Sequence, residues 1–158
     1  MKEKIKTYLI SIGIALAVGG LSALLTRGSM DLYIDIIRPP LSPPSWAFPV
    51  VWTVLFILMG ISAAMIYLDR IAPMPQKKSA LYTYALSLIV NFFWSIIFFN
   101  MRAYLFAFIL LLLLLYLIVR TIMKYYKINP IAAYLQIPYL LWVSFAGYLT
   151  FAIWILNK

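Results

Sequence analysis

Residues 37–55 read IRPPLSPPSWAFPVVWTVL, five prolines and two tryptophans within nineteen positions. The chain then continues without a charged side chain to Leu68. Trp46–Leu68 is apolar for long enough to cross a bilayer, which needs about 20 residues at 1.5 Å each. Prolines break helices and favour turns, so a cluster of them at the mouth of a span describes a stiff segment leading into a preset helix start. Ser42 is placed to cap that helix, with Pro43 at its first position, where no backbone donor is lost. Pro39 and Pro40 keep the residues before it extended.

The rest of the chain follows the same pattern. Of its 158 residues 66% are hydrophobic, and the mean hydropathy is +1.00; soluble domains hold about 45–50% apolar residues. Lipid is therefore the expected solvent. Five stretches have the length of a span: Thr7–Thr26, Trp46–Leu68, Ala80–Asn100, Tyr104–Met123 and Ile131–Leu156. The fold class expected is an all-α integral membrane protein, one five-helix domain over residues 1–158. The first span follows KEKIK; its apolar run is longer than a signal peptide's and no small-residue cleavage motif closes it, so it is expected to be retained. Residues 28–45 form the one long connection. The turn at 101–103 is so short that the third and fourth spans must be antiparallel neighbours. The leucine run 111–115 suits a lipid-facing helix.

Charge sets the direction. Lys2, Lys4, Lys6, Arg70, Lys77, Lys78, Arg120, Lys124 and Lys127 fall on one side, and Arg27, Arg38, Arg102 and Lys158 on the other. Nine against four places the N-terminus in the cytoplasm and the C-terminus outside. A net charge of +9 dispersed through short loops serves this orientation and gives no reason to expect nucleic acid.

Several chemistries are excluded. There is no cysteine and no histidine, and the acids Glu3, Asp31, Asp35 and Asp69 lie at or beyond span ends. A thiolate metal site, a carboxylate dyad and a Ser-His-Asp triad have no residues to build them. No charge sits deep in a span, as ion-coupled pumps usually require. The spans instead carry aromatic stripes at helical spacing: Trp52, Phe56, Met59 and Ala63; Asn91, Trp94 and Phe98; Pro138, Trp142, Phe145 and Leu149. Such stripes either pack a solid bundle or line a cavity, and the sequence leaves both open. Trp46 and Trp154 suit the membrane interface. Pro138 should kink the last span. Gly13, Ala15, Ala17, Gly19, Gly20, Ser22 and Ala23 make the first span the small-residue helix, suited to close packing within the bundle or to a dimer face.

The stretches RPPLSPPSWAFPVVWTVLFILMG, NFFWSIIFFNMRAY and IPYLLWVSFAGYLTFAIWILN resemble the three signature stretches of the translocator protein family, whose bacterial members are the tryptophan-rich sensory proteins, TspO. The resemblance runs from about residue 32 to residue 157. It implies a five-helix membrane protein, commonly a homodimer, that binds porphyrins such as protoporphyrin IX or heme, and hydrophobic planar drug-like molecules, in a cavity beneath the first loop. Carried over by motif, Tyr33, Trp52, Phe56, Asn91, Trp94, Trp142, Ala146 and Leu149 are the implied cavity residues. Phe98, Pro138 and Phe145 join them from the aromatic stripes. The resemblance also links Trp52 and Trp142 to light-dependent porphyrin breakdown.

This sequence departs from the family at Leu32, Asn100 and Thr150. The C-terminal sterol motif of animal members is not matched either, since Lys158 lies ten residues beyond Tyr148. A receptor or sensor is the leading expectation; a light- and oxygen-dependent porphyrin-degrading activity and a porphyrin or lipid transporter are the alternatives. Ligand propionates could meet Arg27 or Arg38 near the mouth. No covalently bound cofactor and no metal are expected.

Overall fold

The computed structural model describes residues 1–26, 37–44 and 46–157, and among these no strand occurs. The helices are α1 (Lys2–Thr26), α2 (Ala47–Leu68), α3 (Met74–Phe99), α4 (Tyr104–Ile128), α5 (Pro130–Leu135) and α6 (Ile137–Asn157). With α5 and α6 taken as one broken span, five segments are long and apolar enough to cross a membrane. In lipid a helix satisfies its backbone polar groups internally, so spans of this composition fold as helices.

The span boundaries shift for local reasons. α3 begins six residues before Ala80, because Pro73 is extended and Pro75 occupies an initial position where its missing N–H costs nothing. Lys77 thereby enters the helix, and its ammonium turns back to donate to the Asp69 carbonyl at 2.7 Å. Asp69 itself ends α2 by accepting from the Ile71 and Ala72 N–H groups. α4 runs on to Ile128, where Asn129 and Pro130 stop it and start α5; the Asn129 side chain accepts from the Ile131 N–H. The last span breaks at Gln136, whose N–H bonds the Ala133 carbonyl three residues back. Pro138, lacking an N–H for the Tyr134 carbonyl, explains a break there rather than a bend deeper in the helix.

The expected Ser42 cap does not form. α2 begins at Ala47, and the Ser42 hydroxyl donates to the Pro39 carbonyl at 2.7 Å. Pro39–Ser42 is a turn whose third residue, Leu41, has φ 70°, a left-handed value that favours glycine. Pro43 and Pro44 thus precede the helix, and Pro49 lies in its first turn.

The helices form a ring: α2 follows α1, then the α5–α6 span, α4 and α3, and α3 closes back on α1. α3 and α4 are antiparallel across the turn at Arg102, itself left-handed at φ 52°. The leucine run is split between two environments, with Leu111 and Leu114 buried and Leu112 and Leu113 exposed. Polar side chains tie the ring where hydrophobic driving force between helices is missing. The Ser11 hydroxyl donates to the Gly60 carbonyl at 2.7 Å, and Ser62 to the Ala132 carbonyl at 2.7 Å. Gln136 reaches Ser62, and Lys124 reaches Ser79 and Thr83.

The tightest contact joins α1 to α2. A Cβ on Gly60 would lie 2.5 Å from the Ile12 Cα and 2.8 Å from its N, whereas one on Gly20 would meet nothing within 4 Å. Gly60→Ala should therefore lower stability by about 1–3 kcal/mol, the usual cost of overpacking. Gly20→Ala should leave stability unchanged or raise it through helix propensity. Thermal unfolding of both variants in one detergent checks this; equal midpoints would show that the helices separate freely.

Candidate ligand-binding cavity

A cavity of about 580 Å³ lies within the half of the bundle that carries the proline segment. Its wall is drawn from α1, α2, α3 and α6. Eight of the residues singled out from the sequence line it: Trp52 and Phe56 from α2, Asn91, Trp94 and Phe98 from α3, and Trp142, Ala146 and Leu149 from α6. Spacings of three or four residues along each helix bring them to one interior. Aromatic stripes here serve both roles: they pack on one another and leave a space.

The rings brace each other. Trp52 stacks on Phe56 at 5.6 Å and meets Tyr139 edge-on at 6.3 Å. Trp94 stacks on Phe98 at 5.5 Å. Trp142 lies between Phe48 at 5.9 Å and Phe145 at 5.8 Å. Offset and edge-on pairs at these separations fix ring orientation. The indole N–H groups of Trp94 and Trp142 are buried without a hydrogen-bond partner.

The polar lining is mostly silent. The hydroxyls of Thr26, Thr53, Ser95 and Thr150 each donate to a carbonyl of their own helix, at 2.9, 2.7, 3.3 and 2.7 Å. Asn91 instead reaches across to the Tyr139 hydroxyl at 3.3 Å. Among the described residues, no group of acids could hold a metal ion.

Two sequence expectations stand elsewhere. Pro138 is exposed at the start of α6 and off the wall. Phe145 stands behind Trp142 and supports it without lining the cavity. Tyr33 and Arg27 lie outside the described residues. Sequence reasoning also missed residues: Phe48 lies one turn before Trp52, so the aromatic stripe extended back by four positions finds it. Gly19, Gly20 and Ala23 of the small-residue helix line the cavity as well as thinning the bundle.

The proline segment is strapped across this end. Asn157 pairs with the Ile37 backbone twice, accepting from its N–H and donating to its carbonyl, both at 3.0 Å. The Tyr148 hydroxyl donates to the Pro40 carbonyl at 2.8 Å. Prolines bring carbonyls without N–H groups, so side-chain donors must satisfy them.

The fold and site define a class: a five-span α-helical membrane protein with an apolar, aromatic-walled cavity in the half of the bundle where a proline-rich segment is tied to α6. Residues 11–155 match the model of the TspO/MBR family, and the chain belongs to that family; it is an integral membrane protein. It is 36% identical to the tryptophan-rich protein TspO of Chlorobaculum tepidum, over 99% of each chain. It is 34% identical to the translocator protein of Bos taurus, over 94% of this chain and 85% of that one. Protein CrtK of Rhodobacter capsulatus shares 31% over 88% of this chain and 85% of its own.

The Asn157 clamp gives a measurable expectation. In Asn157→Ala, hydrogen exchange at the Ile37 amide should quicken by roughly tenfold, the loss of about one net hydrogen bond, while amides within α2 keep their rates. Unchanged exchange at Ile37 would mean the clamp carries no energy.

Proposed function

We propose that this protein is a membrane receptor and sensor that binds porphyrins, protoporphyrin IX or heme among them, and other planar hydrophobic molecules. The observation that carries the reading is the convergence of Trp52, Trp94 and Trp142, from three helices, on one cavity of about 580 Å³, within the usual range of small-molecule sites. A flat macrocycle matches aromatic walls, and Asn91 adds an amide to them. The relatives named tryptophan-rich protein TspO and translocator protein are consistent with this role. The three tryptophans also favour a second reading, porphyrin breakdown in light and oxygen.

Titration of the detergent-solubilised protein with protoporphyrin IX, followed by absorbance and tryptophan quenching in the dark and then under light, tests both. Trp52→Phe and Trp142→Phe keep an aromatic wall and should each weaken binding by about 1 kcal/mol. Trp154→Phe, off the wall, should leave binding unchanged. Equal affinity in all three would remove the cavity from the function. Loss of porphyrin only under light, slowed far more by Trp52→Phe than its affinity is weakened, would favour the degrading activity.

We further propose that the N-terminus is cytoplasmic and the C-terminus external. This cysteine-free chain permits Lys78→Cys and Lys158→Cys to be labelled from outside intact cells by an impermeant maleimide. Label is expected at 158 and not at 78; the reverse would invert the orientation.

A further inference from the structure

The cavity has a side as well as a top. At one end of the α1–α2 pair the backbones touch, through Ser11, Ile12 and Gly60. One turn outward along α2, the contact is made by a side chain alone: the Phe56 ring fills the space beside Gly19, its nearest carbon 2.4 Å from where a Cβ would stand. Further out the pair parts. Thr53 and Pro49, continuing the α2 row that holds Gly60 and Phe56, are exposed and still line the cavity. On α1 the same holds for Leu16, Gly20, Ala23 and Leu24. The other flank of α1 is tied at this end, where the Asn100 amide donates to the Leu25 carbonyl at 2.9 Å. The opening therefore lies between α1 and α2.

The walls of this opening are hydrocarbon in character. Leu16, Ala23, Leu24 and Pro49 are apolar, Gly20 offers no side chain, and the Thr53 hydroxyl is spent on the Pro49 carbonyl. Both helices are membrane spans, so the gap faces the bilayer core and not water. With no unsatisfied polar group along it, a lipid chain can enter without desolvation cost.

We propose that the outer halves of α1 and α2 form a lateral portal through which molecules dissolved in the bilayer reach the cavity, and that a lipid acyl chain occupies it when no other ligand does. The admission of ligands rests on the function proposed above; the opening to acyl chains does not.

Gly20→Phe is the direct test. A Cβ there meets nothing within 4 Å, so a larger side chain has room to start into the portal, and Gly13→Phe, also exposed on α1 with open space around its Cβ but away from the cavity, is its matched control. In the Trp46→Phe/Trp154→Phe background the remaining tryptophans, 52, 94 and 142, all line the cavity. In nanodiscs of phosphatidylcholine brominated at mid-chain, their fluorescence should be quenched. Gly20→Phe should cut that quenching by at least about half, and Gly13→Phe should not. Equal quenching in the two variants overturns the portal.

With protoporphyrin IX in unbrominated nanodiscs, Gly20→Phe should slow association by roughly tenfold relative to Gly13→Phe, the mark of a barrier on the way in. Unchanged rates also overturn the portal, and leave the receptor function standing. If protoporphyrin does not bind the unmodified protein but Gly20→Phe still reduces quenching by brominated lipid, the portal stands and the porphyrin reading fails. Thermal unfolding of both glycine variants checks that each keeps the fold.

Discussion

The contact between the backbone of Ile12 and Gly60 is the constraint on which the rest depends. Two helices can approach so closely only where one side chain is missing, and the Ser11 hydroxyl on the Gly60 carbonyl fixes their register. Closure at this point allows divergence at the other end. α1 has little else to hold it, being mostly exposed along its length, so its position over the cavity is set by this fulcrum and by Asn100 at Leu25. Between those two points the small residues of α1 leave room that Phe56 fills only in part.

The opposite wall is rigid by a different means. α3, α4 and α6 bury large side chains against one another, including Leu111, Leu114, Ile118, Tyr139, Val143 and Ile153. Close packing of this kind transmits no slack. The cavity thus lies between the lightly held α1 and walls on α2, α3 and α6, the last two backed by α4. Aromatic rings keep their angles on both sides because each tryptophan of the wall has a ring partner.

Much of this was legible in the sequence, for a physical reason. Lipid leaves the backbone a single local solution, so hydropathy and length locate spans, and the period of 3.6 identifies which face each tryptophan shares with Phe56, Asn91 or Leu149. What the sequence hid were choices made between elements. Ser42 has the chemistry of a helix cap, but the turn at Leu41 takes its hydroxyl for Pro39, and the helix waits until Ala47. Pro138 shares a face with Trp142 by spacing, yet the break at Gln136 leaves it outside the cavity. Lys77 reads as a loop residue until its stem is seen lying along the helix to reach Asp69. The division of labour between Gly19, which touches Phe56, and Gly20, which touches nothing, depends on where a second helix runs.

Aromatic walls answer a thermodynamic problem particular to membranes. A soluble pocket draws an apolar ligand out of water and gains the hydrophobic effect. A ligand already dissolved in hydrocarbon gains nothing of that kind by moving into an apolar cavity, since lipid tails are as apolar as leucine. Selectivity must then come from terms that lipid cannot match: stacking geometry, rigid shape and a few directed polar groups. Trp52, Trp94 and Trp142 supply the first, their braced partners the second, and Asn91 the third. The hydroxyls of Thr26, Thr53, Ser95 and Thr150 are meanwhile turned onto their own helices, so their protons are not offered to a ligand. Under the proposed entry from the bilayer, such a site would discriminate by planarity and by the position of an acceptor, and poorly by hydrophobicity, because every molecule arriving that way is hydrophobic already.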